Sequence, residues 1–309
     1  MSIIFDNGKR VISDVVVSTA LGQSGMGMFP YTIKSSEYRK LVRLVKKENI
    51  TVFSKSSTRF KRKGNFRIYY PWTWKYINKI SYATILNAYG LTNDGVEKNA
   101  KKISASCEEG FNVIPSYYPE FEKGIDTALR ELTDSVLIYA GELGDNFWAI
   151  ELNGSCPNSD EIINENMDAL VKCIKPLKTV LPGLVIIVKT SIVHPYSFYK
   201  RLEDAGVDVI HAINTIPYGM VFPGNKSPLA KKGGGGVSGF LAYDLAYRYN
   251  QKLREKTKLP IIMGCGVTDI YSKVQFFRIG ADVVSVCTAA LLNPKEACHI
   301  VTPVSNTKS

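Results

Sequence analysis

The chain has 309 residues, 45% of them hydrophobic, and 39 Lys and Arg against 28 Asp and Glu leave a formal net charge of +11. That length and apolar content support a sizeable core and exclude a disordered chain or a small disulfide scaffold. Cys107, Cys156, Cys173, Cys265, Cys287 and Cys298 form no CxxC spacing, the N-terminus lacks a signal pattern, and no apolar run approaches the roughly 18 residues of a membrane span, so a cytoplasmic, reducing setting is expected.

In chain order, β-branched runs alternate with stretches of helical periodicity. The predicted order is strand 15–18, helix 36–47, strand 50–54, helix 92–106, strand 112–115, helix 119–133, and strands 136–139 and 149–153. It continues with helix 160–180, strand 184–189, helix 195–205, strand 209–213, helix 241–256, strand 260–263, helix 268–279 and strand 283–287. In the first helix Leu41, Leu44 and Val45 recur at three- and four-residue spacing. Such alternation predicts a parallel sheet, and the number of units predicts one (β/α)8 barrel over residues 1–309, with 305–309 as a flexible polar tail.

The glycines favour the barrel over an open dinucleotide-binding sheet. Gly22, Gly25 and Gly27 follow the first strand at the wrong spacing for GxGxxG. Gly233 to Gly236 and Gly264-Cys265-Gly266 come late instead, ahead of Thr288, where the last loops of a barrel bind phosphate.

Residues 151–158 read Glu-Leu-Asn-Gly-Ser-Cys-Pro-Asn, a buried strand turning into a polar loop that Pro157 prevents from extending the ladder. Cys156 is the candidate nucleophile or base of that loop. Lys55, Asn87, Asn153, Ser155, Cys156, Asn158, Lys189, Asn214 and Thr215 are all placed at C-terminal strand ends. Four Asn and two Lys converging there suit a flat, anionic, amide-bearing ring beside an electron-accepting cofactor. His194, His211 and His299 fit no nucleophilic or metal-binding pattern and are read as structural, so organic-cofactor chemistry is expected and metal is not. The basic run Arg59 to Lys63, with Tyr69, Tyr70, Trp72 and Trp74 behind it, is read as a solvated loop rather than a nucleic-acid site.

From about Val15 to Leu291 the chain resembles the class 1 dihydroorotate dehydrogenase family. The segments that carry the resemblance are Lys55-Ser-Ser-Thr58 with Arg62 and Gly64-Asn65, Asn87-Ala-Tyr-Gly-Leu-Thr-Asn93, residues 151–158, Ile213-Asn214-Thr215 and Gly235-Gly236-Val237-Ser238-Gly239. The resemblance implies an FMN-dependent barrel that oxidises dihydroorotate to orotate in pyrimidine synthesis. It implies Cys156 as the general base at C5 while hydride passes from C6 to flavin N5, with Lys55 beside the reacting groups. Substrate contacts are implied for Asn87, Gly90, Leu91, Asn153, Asn158, Asn214 and Thr215. Cofactor contacts are implied for Ala20, Gly22, Lys55, Ser56, Asn87, Asn153, Lys189, Ile213, Gly235, Gly236, Cys265, Gly266, Cys287 and Thr288.

Four departures from the family pattern stand out. Cys265 and Cys287 occupy positions where the family has Gly, and the segments after Asn65 and Asn158 differ from it. Cys156 and the N-terminus without an apolar extension speak against the class 2, membrane-bound type. Rival readings are a tRNA dihydrouridine synthase, a dihydropyrimidine dehydrogenase-like reductase and a ligand-binding barrel without turnover. The partners implied are dihydroorotate and orotate, a second copy of the chain as a homodimer, and an iron-sulfur flavoprotein subunit, with no membrane and no nucleic acid.

Overall fold

The structure, a computed structural model, describes residues 2–155 and 160–302. Its core is a parallel barrel of strands β1 (Val15–Ser18), β2 (Val52–Phe53), β3, β4 (Ala149–Asn153), β5 (Val185–Lys189), β6 (Val209–Ala212), β7 (Ile261–Met263) and β8 (Val283–Val286). Strand β3 comes in two pieces around Pro115: Val113–Ile114 pairs with β2, and Ser116–Tyr117 pairs with β4. Pro115 has no N–H to give, but its carbonyl accepts from the Glu151 amide, so the ladder passes through it. Strand β8 pairs with β1, with Val284 opposite Val15, and the sheet closes.

Helices α1 (Ser36–Lys47), α2 (Val96–Glu108), α3 (Ile125–Leu143), α4 (Asp160–Val180), α5 (Ser197–Ala205), α6 (Tyr243–Arg254), α7 (Ile270–Arg278) and α8 (Pro294–Val301) surround the barrel. Their starts follow local chemistry. Ser35 accepts from the Tyr38 amide at the head of α1, and Asp269 and Ser272 form a reciprocal capping box on α7.

Strand period two divides the apolar residues into two clusters. Val15, Val17, Val52, Ile150, Leu152, Ile186, Val188 and Ile210 pack outward under the helices. Val16, Phe53, Ile114, Ala149, Ile187, Val209, Ile262 and Val283, one from each strand, fill the interior with Ile3 and Ile12. Those two isoleucines come from an antiparallel hairpin, Ile3–Phe5 with Arg10–Ile12, which closes the N-terminal end. Phe53→Ala in this layer would cost about 3–5 kcal/mol, since the fixed ring of strands cannot collapse into the void.

Two residues further along the same strands the interior turns polar: Ser18, Ser116, Glu151, Lys189, His211 and Ser285 are all buried, as is Asn153 two beyond Glu151. The C-terminal mouth above them is walled by a second, antiparallel sheet of four strands in the order Ile216–Pro217, Gly236–Gly239, Thr84–Asn87, Ile77–Ser81.

Two sequence expectations are corrected here. Residues 136–139 are not a strand but the second half of α3, which begins at Ile125 rather than 119 and runs to Leu143. Ala128, Leu132, Val136, Tyr139 and Leu143 are its buried face, so helical spacing against the barrel overrides the β-propensity of the Val-Leu-Ile-Tyr run. Asn87 is not at the end of a barrel strand; it ends a strand of the antiparallel wall, opposite Gly236 and Ile77. The tail 305–309 lies outside the described residues. Among the described residues no helix is long and apolar enough to cross a membrane.

Candidate active site

A cavity of about 700 Å³ opens at the C-terminal mouth of the barrel. Lys55, Ser56, Asn87, Gly90, Leu91, Asn153, Lys189, Ile213, Asn214, Thr215, Cys265, Gly266, Cys287 and Thr288 all line it. Gly235 and Gly236 line an adjoining chamber of about 440 Å³, which shares Gly90, Ser155, Asn214 and Thr215 with the first. The late glycines are therefore divided between two spaces rather than gathered at one. Ala20 and Gly22 line neither chamber: Ala20 is buried in the core, and the Gly22 carbonyl accepts from the Lys55 amide, so they support the site from behind. Cys156 and Asn158 lie outside the described residues.

Asn153 and Asn214 are held by one connected set of hydrogen bonds, and Asn87 by a separate one. Asn153 Nδ2 donates to Ser56 Oγ at 3.0 Å, while Asn153 Oδ1 accepts from the Ser155 hydroxyl at 2.5 Å and from its amide at 3.2 Å. Asn214 Nδ2 donates to Ser155 Oγ at 2.7 Å, and its Oδ1 accepts from the Thr215 amide at 2.9 Å. Asn87 Nδ2 donates to the Gly236 carbonyl at 3.3 Å, across the wall sheet. Each amide is thereby oriented before any ligand arrives, which lowers the ordering cost of binding one.

Both lysines are charged groups in a confined space. Lys189 Nζ donates to Ser18 Oγ at 3.1 Å and lies 3.8 Å from Glu151. Lys55 Nζ lies over the Tyr89 ring, 3.4 Å from its centroid. Burial is the main cause that lowers the Lys55 ammonium to about 8; Cys287 pulls the other way and Lys189 adds to the lowering.

The polar floor carries residues that motif reading missed. Glu151 Oε1 accepts from Ser116 Oγ at 2.7 Å and Oε2 meets His211 Nδ1 at 2.5 Å; His211 Nε2 lies 2.9 Å from Ser285 Oγ. Burial alone would raise the Glu151 carboxyl, yet Lys189, His211 and Ser116 outweigh it and hold the group down at about 2. His211 and Ser285 line the cavity. The sequence signal was available: each of these polar residues stands two positions after an apolar residue facing into the barrel.

Arg62, Tyr89, Tyr118, Phe121 and Glu122 also reach the cavity and were not singled out as contacts. Arg62 pairs with Glu120 at 3.1 Å and Glu122 at 3.0 Å, and Arg59 pairs with Glu97 at 3.2 Å. Both arginines of the basic run are thus engaged in holding loops together. Among the described residues no group of three or more His, Cys, Asp or Glu could hold a metal ion.

The late turn retains the backbone form that glycine suits. Cys265 has φ +66° and Gly266 φ +139°, so Cys265 adopts a conformation that side chains rarely take. Thr288 Oγ1 donates to Ser238 Oγ at 2.9 Å beside them.

A closed parallel barrel with a polar cavity at its C-terminal mouth, served by loops from several strands, defines a (β/α)8-barrel enzyme. The chain belongs to the dihydroorotate dehydrogenase family, whose model matches residues 35–305. It is 27% identical over 223 residues to the dihydroorotate dehydrogenase B (NAD(+)) catalytic subunit of Caldicellulosiruptor bescii, covering 71% of each chain. The corresponding subunit of Oceanobacillus iheyensis is 28% identical over 294 residues, 89% of this chain and 85% of that one. Dihydroorotate dehydrogenase A (fumarate) of Lactobacillus helveticus is 27% identical over 226 residues, 70% of each. The protein is accordingly an oxidoreductase of the class 1 type, in a flavin-dependent family.

Proposed function

We propose that this enzyme oxidises dihydroorotate to orotate in pyrimidine synthesis, with FMN as its cofactor. The observation that carries the reading is the convergence of two lysines and three pre-oriented carboxamides, Asn87, Asn153 and Asn214, on one cavity. A planar substrate bearing amides and a carboxylate matches that donor and acceptor set.

The cavity also fits a flavin nucleotide. Its volume lies within the range of roughly 300–1,000 Å³ for cofactor sites, and its walls combine Met28, Ile77, Ile85, Val267 and Leu291 with lysines and hydroxyls. Bound FMN would supply the hydride acceptor. Lys55 and Lys189 would place positive charge beside the ring, where negative charge gathers. Gly266, Ser238 and Thr288 are the groups we assign to the phosphate, by backbone N–H and hydroxyl donation, with Gly235 and Gly236 forming the wall behind Asn87.

Asn87, Asn153 and Asn214 would fix the substrate so that one hydrogen faces the acceptor and the other faces the base. Cys156 would remove the proton at C5, as a thiol poised near working pH can. Leu91, Gly90 and Thr215 would close the substrate's remaining edges, and Asn158 would add a further amide. The electron acceptor follows from the assembly: a homodimer would suit a small acceptor such as fumarate, and an iron-sulfur flavoprotein subunit would pass electrons to NAD. The test is to purify the protein, record a flavin spectrum and add dihydroorotate anaerobically. Bleaching of the flavin supports the reading; a flavin that stays oxidised with this substrate removes it.

A further inference from the structure

The floor of the cavity holds a histidine that none of these roles uses. His211 is 1% exposed, lies on β6 and borders the cavity from below. Its two ring nitrogens are occupied by different kinds of partner: the Glu151 carboxylate at Nδ1 and the Ser285 hydroxyl at Nε2. We propose that His211 is the positioning residue that takes up a proton when negative charge enters the cavity above it, with Glu151 and Ser285 as fixed partners in both states. The inference rests on the flavin reading.

The geometry allows this without rearrangement. In the neutral ring Nδ1–H donates to Glu151 and Nε2 accepts from the Ser285 hydroxyl. In the charged ring both nitrogens donate, and Ser285 only has to turn its proton away. Both states keep a partner at each ring nitrogen, so the cost that remains for the charged ring is that of burying the charge itself.

The surrounding charges decide when the proton arrives. The titratable groups that act on His211 are Glu151 on β4 and Lys189 on β5; Lys55, Arg62, Tyr89, Tyr118, Glu122, Glu165 and the Cys265 and Cys287 thiols share the cavity with it. Lys189 and Glu151 neutralise one another, so the resting floor carries no net charge from that pair. Burial, opposed by Glu151 and assisted by Lys189, holds the imidazole below its ordinary value. Two electrons and one proton delivered to bound flavin would add one negative charge to the cavity, which favours a charged ring at His211. Below about pH 8 Lys55 is already charged, Glu151 is held down by its partners and Glu122 is paired with Arg62, whereas the neutral His211 ring can take the proton with both its nitrogens partnered. The proton comes from water, so two electrons would bring two protons in total into the site.

The experiment uses the flavin-loaded protein reduced with dithionite, which makes it independent of the substrate assignment. The potential of the bound flavin is followed against pH near neutrality, and the number of protons taken up per two electrons is read from the slope. Two are expected for the wild type and one for His211→Asn, whose amide can still donate to Glu151. As a check that needs no variant at residue 211, ¹⁵N-histidine spectra of the wild type should show one buried ring neutral when oxidised and charged when reduced, with His194→Asn assigning the other buried ring. A His211 ring that stays neutral on reduction, or a proton count unchanged by His211→Asn, overturns the proposal while a yellow protein leaves the flavin reading standing. A protein that cannot be loaded with flavin overturns both.

Discussion

Lys55 Nζ stands 3.4 Å from the centre of the Tyr89 ring, so the cation that faces the cavity is held against an aromatic face rather than a carboxylate. Tyr89 belongs to the Asn87 to Asn93 loop, and its contact keeps Lys55 charged in a place where burial disfavours charge. Among the described residues no carboxylate pairs with Lys55, which leaves the ammonium to an incoming anion.

From that follows a pH dependence of ligand binding. With its ammonium lowered to about 8, Lys55 loses its proton as pH rises through that value, so an anion bound to it is held below pH 8 and released above. The dissociation constant of orotate, read from the flavin absorbance of the loaded enzyme, is expected to rise up to about tenfold per pH unit above the break. Lys55→Gln should abolish the break. Tyr89→Leu removes the ring face, worth about 0.5–1.5 kcal/mol, and should move the break down by roughly half a unit to one unit.

Much of this was legible in the chain. Seven of the eight barrel strands follow from β-branched runs read with helical stretches between them, because a buried parallel strand is marked by its own composition. Strand β3 is the harder case, since Pro115 splits it and only the Val113–Ile114 half reads as a strand. The site lysines and carboxamides were visible as polar residues ending apolar runs. What failed, failed for identifiable reasons. The Val136 to Tyr139 run has strand-like residues, but only long-range packing shows that it is the buried face of α3. The wall sheet joins residues 77–87 to 216–239, and short strands paired across such distances leave no local periodicity. His211 looked isolated because its partners, Glu151 and Ser285, are 60 and 74 residues away.

Cys156→Ala tests the assigned base. Flavin reduction by dihydroorotate, followed by anaerobic stopped flow, should slow by at least ~100-fold, the scale for losing a general base. The flavin should remain bound, because Lys55, Lys189, Gly266 and Thr288 are untouched. Reduction at the wild-type rate would take Cys156 out of the mechanism.

Gly266→Ala probes the late turn. A Cβ there would stand 2.7 Å from the Tyr243 Cα, a backbone atom that cannot yield, and φ +139° disfavours any side chain. The expected result is a loss of about 1–3 kcal/mol in urea unfolding together with weaker FMN retention on dialysis. Cys265→Gly should behave oppositely at the backbone, because φ +66° is a conformation glycine adopts freely, and its FMN retention should match or exceed that of the wild type.

His194 sets an acid limit on stability. It is 2% exposed, its Nδ1 accepts from the Ser191 amide at 3.2 Å, and burial lowers the ring to about 4. The folded state therefore keeps His194 neutral between pH 6.5 and 4, while the unfolded chain protonates it. Since the unfolded state binds more protons across that window, stability falls as pH falls. At pH 5 the loss from this residue comes to about 2 kcal/mol relative to neutral pH. His194→Asn retains an acceptor for the Ser191 amide without a titrating ring, at some cost in packing against Phe198, whose ring centroid is 4.8 Å away. The difference in unfolding free energy between pH 7 and pH 5 should shrink by about that amount in the variant; an undiminished difference would show that acid sensitivity arises elsewhere.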